Sequence, residues 1–310
     1  MWKRDKIIVL GSINTDISVK GKRLPKPGET IYADEISYSG GGKGSNQAIA
    51  ASRLLNENSR IEMIGAIGDD LFSLKNLETL KKEGILTKGI RSISDTSTGA
   101  AVIFLDEMNE NYILLLEGAN YKCSNEELSY LEETLTKNSI LLLQHEIPIN
   151  TVHEAMKIST KKGALTILDP APYMDIKIKN YYNNVEILTP NQTEAENLSK
   201  VTIDSLENAF LAGEKILSLG PNFVIITLSE QGSVLISNQE KIHFEGHRVN
   251  VVNSVGAGDC FNGALAVGIK KGLSLNESIK LGNKSASISV SRKCVQESMP
   301  FFNEIKTIEL

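Results

Sequence analysis

The chain has 310 residues, enough to bury a substantial core in one large α/β domain or in two smaller ones. Its 33 Lys+Arg and 38 Asp+Glu leave a net charge of −5 with no long basic run, which argues against nucleic acid as the main partner. Cys123, Cys260 and Cys294 are too widely spaced for a disulfide framework or a metal knuckle, and no apolar run has membrane-spanning length, so a soluble cytoplasmic protein with reduced thiols is expected.

The start, Met1-Trp2-Lys3-Arg4-Asp5-Lys6, is charged, but the apolar run after it ends at Leu10 without a cleavage site and is too short for a signal peptide. Residues 7–10 read as a buried strand ending at Gly11-Ser12, and residues 13–19 alternate, including Asn14 and Asp16. After a Pro-rich turn at 24–29, residues 30–39 alternate weakly, as a partly exposed strand would. Gly40-Gly41-Gly42-Lys43-Gly44-Ser45-Asn46 then runs into an Ala-rich helix over 47–55, making a glycine-rich helix N-terminus. A strand at 61–67 and a helix at 70–83 follow. Between 89 and 116 the pattern is β-rich without a helix: 98–105 and 112–116 flank the polar turn 106–111 as a hairpin. With residues 14–39 this predicts a small sheet outside the main αβ alternation.

Alternation resumes after Asn120. Ser124-Asn125-Glu126-Glu127 matches a capping box opening a helix. A strand at 140–143, a helix from Thr151 and a strand at 165–168 ending in Asp169-Pro170 come next, then residues 185–188 lead through Thr189-Pro190-Asn191 into a helix carrying Glu194. Residues 223–228 form another buried strand, 234–236 and 242–244 a hairpin, 247–252 a short β-rich segment, and the rest is mainly helical. This order predicts a doubly wound, mostly parallel sheet with helices on both faces, plus the small β-sheet. Ligands of such sheets sit outside the carboxyl ends of the strands. Asn14, Glu146, Asp169, Asn191, Thr227 and Asp259 all fall at or soon after the ends of predicted strands.

The stretch Asn253-Ser254-Val255-Gly256-Ala257-Gly258-Asp259 carries the sharpest chemical signal. Small and apolar residues at helical spacing over 261–269 make Gly256, Ala257 and Gly258 the turn at a helix N-terminus, where unpaired N–H groups and the helix dipole bind an anion without a basic side chain. Asp259 adds a carboxylate in the first turn. Amides beside a carboxylate suit phosphoryl transfer to an alcohol, with the carboxylate accepting the hydroxyl proton. On these residues alone, an ordinary helix start with a favourable acid is an equal reading. Two other phosphate motifs are excluded: position 261 is not glycine, so the dinucleotide fingerprint fails, and Gly42-Lys43 is followed by Gly44, so there is no Walker A loop.

Five separated segments together, Gly11-Ser12-Ile13-Asn14-Thr15-Asp16, Leu24-Pro25-Lys26-Pro27-Gly28-Glu29-Thr30, Gly40-Gly41-Gly42-Lys43-Gly44-Ser45-Asn46-Gln47-Ala48, Thr189-Pro190-Asn191-Gln192-Thr193-Glu194-Ala195-Glu196 and Gly256-Ala257-Gly258-Asp259, resemble the signature segments of the ribokinase-like (PfkB) carbohydrate kinases. The resemblance spans essentially the whole chain. Within the family it is strongest to the kinases of D-ribose, and it implies ATP-dependent phosphorylation of that sugar at its 5-hydroxyl. The alternatives are 2-deoxyribose, another sugar or a nucleoside, and a sugar-binding regulator without catalysis.

The resemblance makes Asp259 the general base and the amides of Gly256, Ala257 and Gly258 the anion hole. Asn14, Asp16, Gly42, Lys43, Asn46 and Glu146 match sugar-binding positions, and Asn191, Thr227, Gly232 and Asn283 match nucleotide positions. Glu194 matches the family's acid near Mg2+, acting through water, although Asn191 and Glu194 also read as a helix cap followed by an exposed acid. Glu146 likewise reads as a surface carboxylate. Asn253, Val255, Ser289, Arg292, Cys294 and Ser298 match a loop for a monovalent cation such as K+. Asn253 stands where the family usually has aspartate, and Cys294 and Ser229 where it often has glycine, so altered potassium activation is expected. The family also implies one kinase domain over 1–310, a lid from about 15–39 and 96–118, and a homodimer paired through the lids.

Overall fold

The structure is a computed structural model and describes residues 4–55, 61–108 and 111–306. Met1, Trp2 and Lys3, and Asn109 and Glu110 of the expected polar turn, lie outside the described residues. In chain order, β1 (Lys6–Leu10), β2 (Asn14–Lys20) and β3 (Glu35–Gly41) lead to α1 (Lys43–Leu54). Next come β4 (Ile61–Ile67), α2 (Leu71–Lys82), β5 (Leu86–Ser92), β6 (Gly99–Leu105), β7 (Asn111–Leu116), α3 (Asn125–Thr134), β8 (Ser139–Leu143), α4 (Ile149–Lys162) and β9 (Leu165–Leu168). The last part holds β10 (Ile187–Leu188), α5 (Gln192–Ser199), α6 (Leu206–Leu217), β11 (Phe223–Thr227), β12 (Ser233–Ile236), β13 (Lys241–Phe244), α7 (Ala257–Lys270), α8 (Leu275–Val290) and α9 (Phe302–Lys306).

A strand can be apolar at every position only where both faces are covered. In β1 the side chains of Ile7 and Val9 enter one core layer, with α1, α7 and α8, while Ile8 and Leu10 enter the other, with α3, α4 and α6. The same period of two splits Ile140 and Leu142 from Leu141 and Leu143 in β8. These strands belong to a nine-stranded sheet ordered β13-β12-β11-β10-β9-β8-β1-β4-β5, parallel from β11 to β5 and antiparallel at the β12–β13 edge. A separate four-stranded sheet has the order β3-β2-β6-β7. The expected doubly wound body and small second sheet are therefore both present.

The two glycine-rich helix starts meet because α1 packs directly on α7. A methyl group on Gly263 would stand 2.7 Å from the Ala50 Cβ and 2.8 Å from the Gln47 carbonyl, so only glycine permits this approach. The capping box expected at Ser124 is formed with Glu127.

Three segments differ from expectation. Gly40 and Gly41 close β3 rather than forming a turn, α1 starts at Lys43 instead of 47, and residues 30–34 precede the strand. Residues 86–92 form β5 in the main sheet; its edge position leaves only one side paired, and the bulge against β4 breaks its alternation. Residues 247–252 form no strand: their valines are exposed, Val251 at 65%, and Val252 donates its N–H to the Val290 carbonyl of α8 at 2.7 Å.

Candidate active site

Asp259, the third residue of α7, is buried and accepts hydrogen bonds from two amides of α1: Asn46 Nδ2 at 2.9 Å and Gln47 Nε2 at 3.2 Å. Gln47 Nε2 also reaches Asp169 Oδ2 at 3.0 Å, just past β9, and Gln47 Oε1 accepts from Gln144 Nε2 at 2.7 Å, just past β8. These contacts place both helix N-termini at the carboxyl ends of the central strands. Burial pushes the Asp259 carboxyl up, while the Lys43 ammonium and the amides of Asn46 and Gln47 pull it down. Burial likewise pushes Asp169 well above the carboxylate range, with Lys43 opposing.

Lys43 is the half-buried first residue of α1. Burial disfavours its charge, but Asp169, Asp259, Glu146 and Glu194 together outweigh that and hold its pKa above the usual lysine value. Such a lysine stays a cation, despite its unfavourable place at a helix start.

At the start of α7, Gly256 holds φ at +81°, a left-handed turn that glycine adopts without strain. The N–H groups of Gly256 and Gly258 have no acceptor among the described residues, whereas the Ala257 N–H makes a 3.3 Å bond to the Ser254 carbonyl. Space is open beside Gly258: a methyl group there would meet nothing within 4 Å. The turn thus offers free donors and room for an anion.

Asn14 and Asp16 lie in the first residues of β2, with Asp259 among the charges felt by Asp16. Asn14 Oδ1 accepts from Asn120 Nδ2 at 2.6 Å, and Asn120 Oδ1 accepts the Ile13 N–H at 2.9 Å, which orients both amides. The Asp16 carboxyl receives no hydrogen bond from the described residues, and burial, with Glu146, Asp259 and Glu297 nearby, pushes it up to about 7. Glu146 is not a surface carboxylate: its Oε2 accepts from Ser12 Oγ at 2.5 Å and from the Lys43 N–H at 3.0 Å, so it caps α1 next to Gly42.

Asn191 and Glu194 form a reciprocal capping box at the start of α5, both bonds 2.9 Å long. The cap reading holds, but the acid is buried rather than exposed. Burial raises its carboxyl, against the Asn191 N–H and the Lys43 charge. Asn191 also bridges Thr227 at the end of β11, and the Thr227 N–H bonds the Pro190 carbonyl at 3.0 Å. Gly232 follows in the next turn with φ at +88°. Asn283 on α8 joins none of these by a hydrogen bond, and its buried Nδ2 has no partner among the described residues.

The expected cation-loop residues make contacts in two groups. Asn253 Nδ2 donates to the Cys294 carbonyl at 3.2 Å, and Asn253 Oδ1 accepts the Val255 N–H at 3.1 Å. Ser289 and Ser298 hydroxyls lie 2.7 Å apart, and Arg292 bonds the Ser298 carbonyl and Glu304. The side-chain oxygen of Asn253 is thus already engaged. An open cleft of about 590 Å³, lined by Arg248, Val249, Asn250, Val252 and Ser291, contains none of the expected site residues.

The sequence alone marks no role for Gln47, Asn120, Gln144 or Gln296, and marks Asp169 only as a residue after a strand. Gln47 lies inside a quoted signature segment, which was its available signal; Asn120, Gln144 and Gln296 have no local pattern that marks them.

A family model described as pfkB family carbohydrate kinase matches residues 4–301. A ribokinase of Schizosaccharomyces pombe is 36% identical over 306 residues, covering 96% of each chain. A deoxyribokinase of Salmonella typhi is 33% identical over 301 residues, covering 96% of this chain and 97% of the relative. The structure of Arabidopsis thaliana ribokinase complexed with ribose and ATP matches with a TM-score of 0.89 and 32% identity over 98% of both chains.

Proposed function

The chain belongs to the pfkB family of carbohydrate kinases, and from that membership we propose that it transfers the terminal phosphoryl group of ATP to the 5-hydroxyl of D-ribose, giving D-ribose 5-phosphate and ADP. The observation that carries this reading is the buried Asp259 carboxylate, which follows the free amides of the α7 turn and is held by Asn46 and Gln47 of α1. Ribose as substrate is supported by the ribokinases among the relatives.

In this reading Asn14, Asp16, Asn46, Lys43 and Glu146 with the Gly42 backbone hold the sugar hydroxyls, and Asp259 takes the proton of the attacking one. The Gly256 and Gly258 amides, with Ala257 between them, face the charge that develops on the transferred phosphoryl oxygens. A permanently cationic Lys43 adds charge at the same place. Asn191, Thr227, Gly232 and Asn283 lie on the nucleotide side, where the unpartnered Asn283 Nδ2 has an acceptor to gain.

Carboxylates outnumber cations around Lys43, which fits a divalent ion. Mg2+ in such sites is held mainly by water and phosphate oxygens, with few protein ligands. Glu194 would hold its water shell, and the ion would neutralise the phosphate oxygens. Asn253, Val255, Ser289, Arg292, Cys294 and Ser298 form the monovalent-cation loop, with potassium activation weakened by Asn253.

Two segments of the second sheet, within 15–39 and 96–118, act as a lid that excludes water. Across its four strands Tyr38, Ile17, Val102 and Leu114 share one face, and Leu114 is 74% exposed. That apolar face supports a homodimer joined lid to lid, which sedimentation at micromolar concentration reads directly. Three free cysteines fit a reducing cytoplasm.

The test is ATP-dependent product formation with D-ribose, 2-deoxyribose, fructose, adenosine and pseudouridine. Ribose is expected to be turned over best. 2-Deoxyribose is the second reading, favoured by the 33% identical deoxyribokinase; a preference for it would overturn the sugar assignment and leave the kinase reading standing. Ribose binding with no turnover of any compound would overturn the kinase reading.

A further inference from the structure

We propose that Gln296 is a positioning residue, which fixes the end of the Asn46 amide that faces Asp259. The inference deepens the assignment of Asp259 as the base and rests on it for its catalytic meaning. An asparagine amide has nearly the same shape either way round, and its partners decide its direction. Reversed, Asn46 would set an oxygen acceptor against a carboxylate oxygen now 2.9 Å from its NH2 group, turning attraction into repulsion.

Gln296 prevents that reversal. Its Nε2 donates to Asn46 Oδ1 at 3.0 Å and to Ser45 Oγ at 3.1 Å. Ser45 gives its own proton to the Gly41 carbonyl at 2.5 Å, so it can only accept from Gln296. Both amide hydrogens of Gln296 thus have fixed acceptors, and its own reversal would forfeit both bonds. The residue is buried, and Arg53 on α1 grips the Gln296 carbonyl at 2.7 Å and the Met299 carbonyl at 2.9 Å. Gly40 makes the room: a methyl group there would lie 2.2 Å from Gln296 Oε1. Donor polarity therefore runs from Gln296 through Asn46 to Asp259, and a second arm runs from Gln144 through Gln47 to the same carboxylate.

Asp259 is surrounded by Lys43 on α1, Glu146 after β8, Asp169 after β9, Glu194 on α5, Asp16 on β2 and the Cys260 thiol on its own helix. Four of these are acids that resist a further negative charge, so donor bonds of correct polarity help to keep Asp259 ionised.

The test follows the Asp259 carboxyl directly by carbon NMR titration of aspartate-labelled protein, assigned with Asp259→Asn. Gln296→Glu keeps the shape and replaces the donor by an acceptor; Gln296→Met keeps the bulk and removes the donor. Both are expected to move the Asp259 midpoint upward, by about one pH unit for Gln296→Glu. The acid limb of kcat/KM should move with it, and kcat at neutral pH should fall about tenfold. An Asp259 midpoint at the wild-type position in both folded variants would overturn the proposal. Because the titration needs no turnover, a wild-type protein inactive on every sugar would count against the kinase reading alone.

Discussion

Asn46 and Asp259 are separated by 213 positions and joined by a 2.9 Å hydrogen bond between α1 and α7. With the Lys43 charge and the Gln47 bond, it opposes the upward push that burial exerts on the Asp259 carboxyl. Asp259→Asn keeps the shape and removes the proposed base. Turnover is expected to fall by about 10²–10⁴-fold, while the urea midpoint stays or rises, because a buried charge is gone. Steady-state kinetics of the folded variant would disprove the assignment if more than a tenth of the wild-type kcat remained.

Asp16 predicts a pH dependence. Its carboxyl lies at about 7 in the fold against an ordinary 3.8, so between these values the folded chain keeps a proton that the unfolded chain has lost. The stability this contributes is complete below the ordinary value and is lost as pH rises through about 7. Asp16→Asn should flatten the decline of the denaturation midpoint across that window. Sugar hydroxyls would favour the ionised form, so calorimetry near pH 6 in two buffers should show proton release on ribose binding; uptake would contradict this account.

Asn253 predicts weak potassium dependence, because its oxygen already takes the Val255 N–H and its NH2 group ties down the Cys294 carbonyl. Activity should be nearly equal in potassium and in a large inert cation such as tetramethylammonium. Asn253→Asp removes that tie and adds a charge, and should create a potassium requirement. A strong requirement in the wild type would refute the argument.

Ser229 holds φ at +51° and Cys294 at +66°, both in the left-handed region, where a side chain strains the backbone. Ser229→Gly should stabilise the protein by about 1 kcal/mol, the relief exceeding the added freedom of the unfolded chain. Thermal unfolding measures this, and a lower midpoint would show the serine to be held by something else.

Much of this fold was legible because its signals are local. Both-face burial makes residues 7–10 and 140–143 unbroken apolar runs, and Ser124 and Glu127 name their own helix start. Residues 247–252 misled because alternating valines report a pleat but not a neighbouring strand to pair with. In the candidate site, Asp259, Asn46 and Lys43 stand inside the signature segments. Those segments gave no sign that Gln144, Asn120 and Gln296 orient them, since the direction of an amide depends on partners from distant segments.

The contact through Gly263 also bears on how the chain is made. Ala48, Ile49, Ala50, Ala51 and Leu54 of α1 are fully covered, and part of that cover is α7, from the last sixth of the sequence. During synthesis α1 therefore leaves the ribosome long before its lid of apolar side chains exists. Pairings so distant close late and leave greasy surface exposed meanwhile. A truncated nascent chain ending before α7 would thus be sticky and inert at once, since the helix that seals the core also brings the proposed proton acceptor.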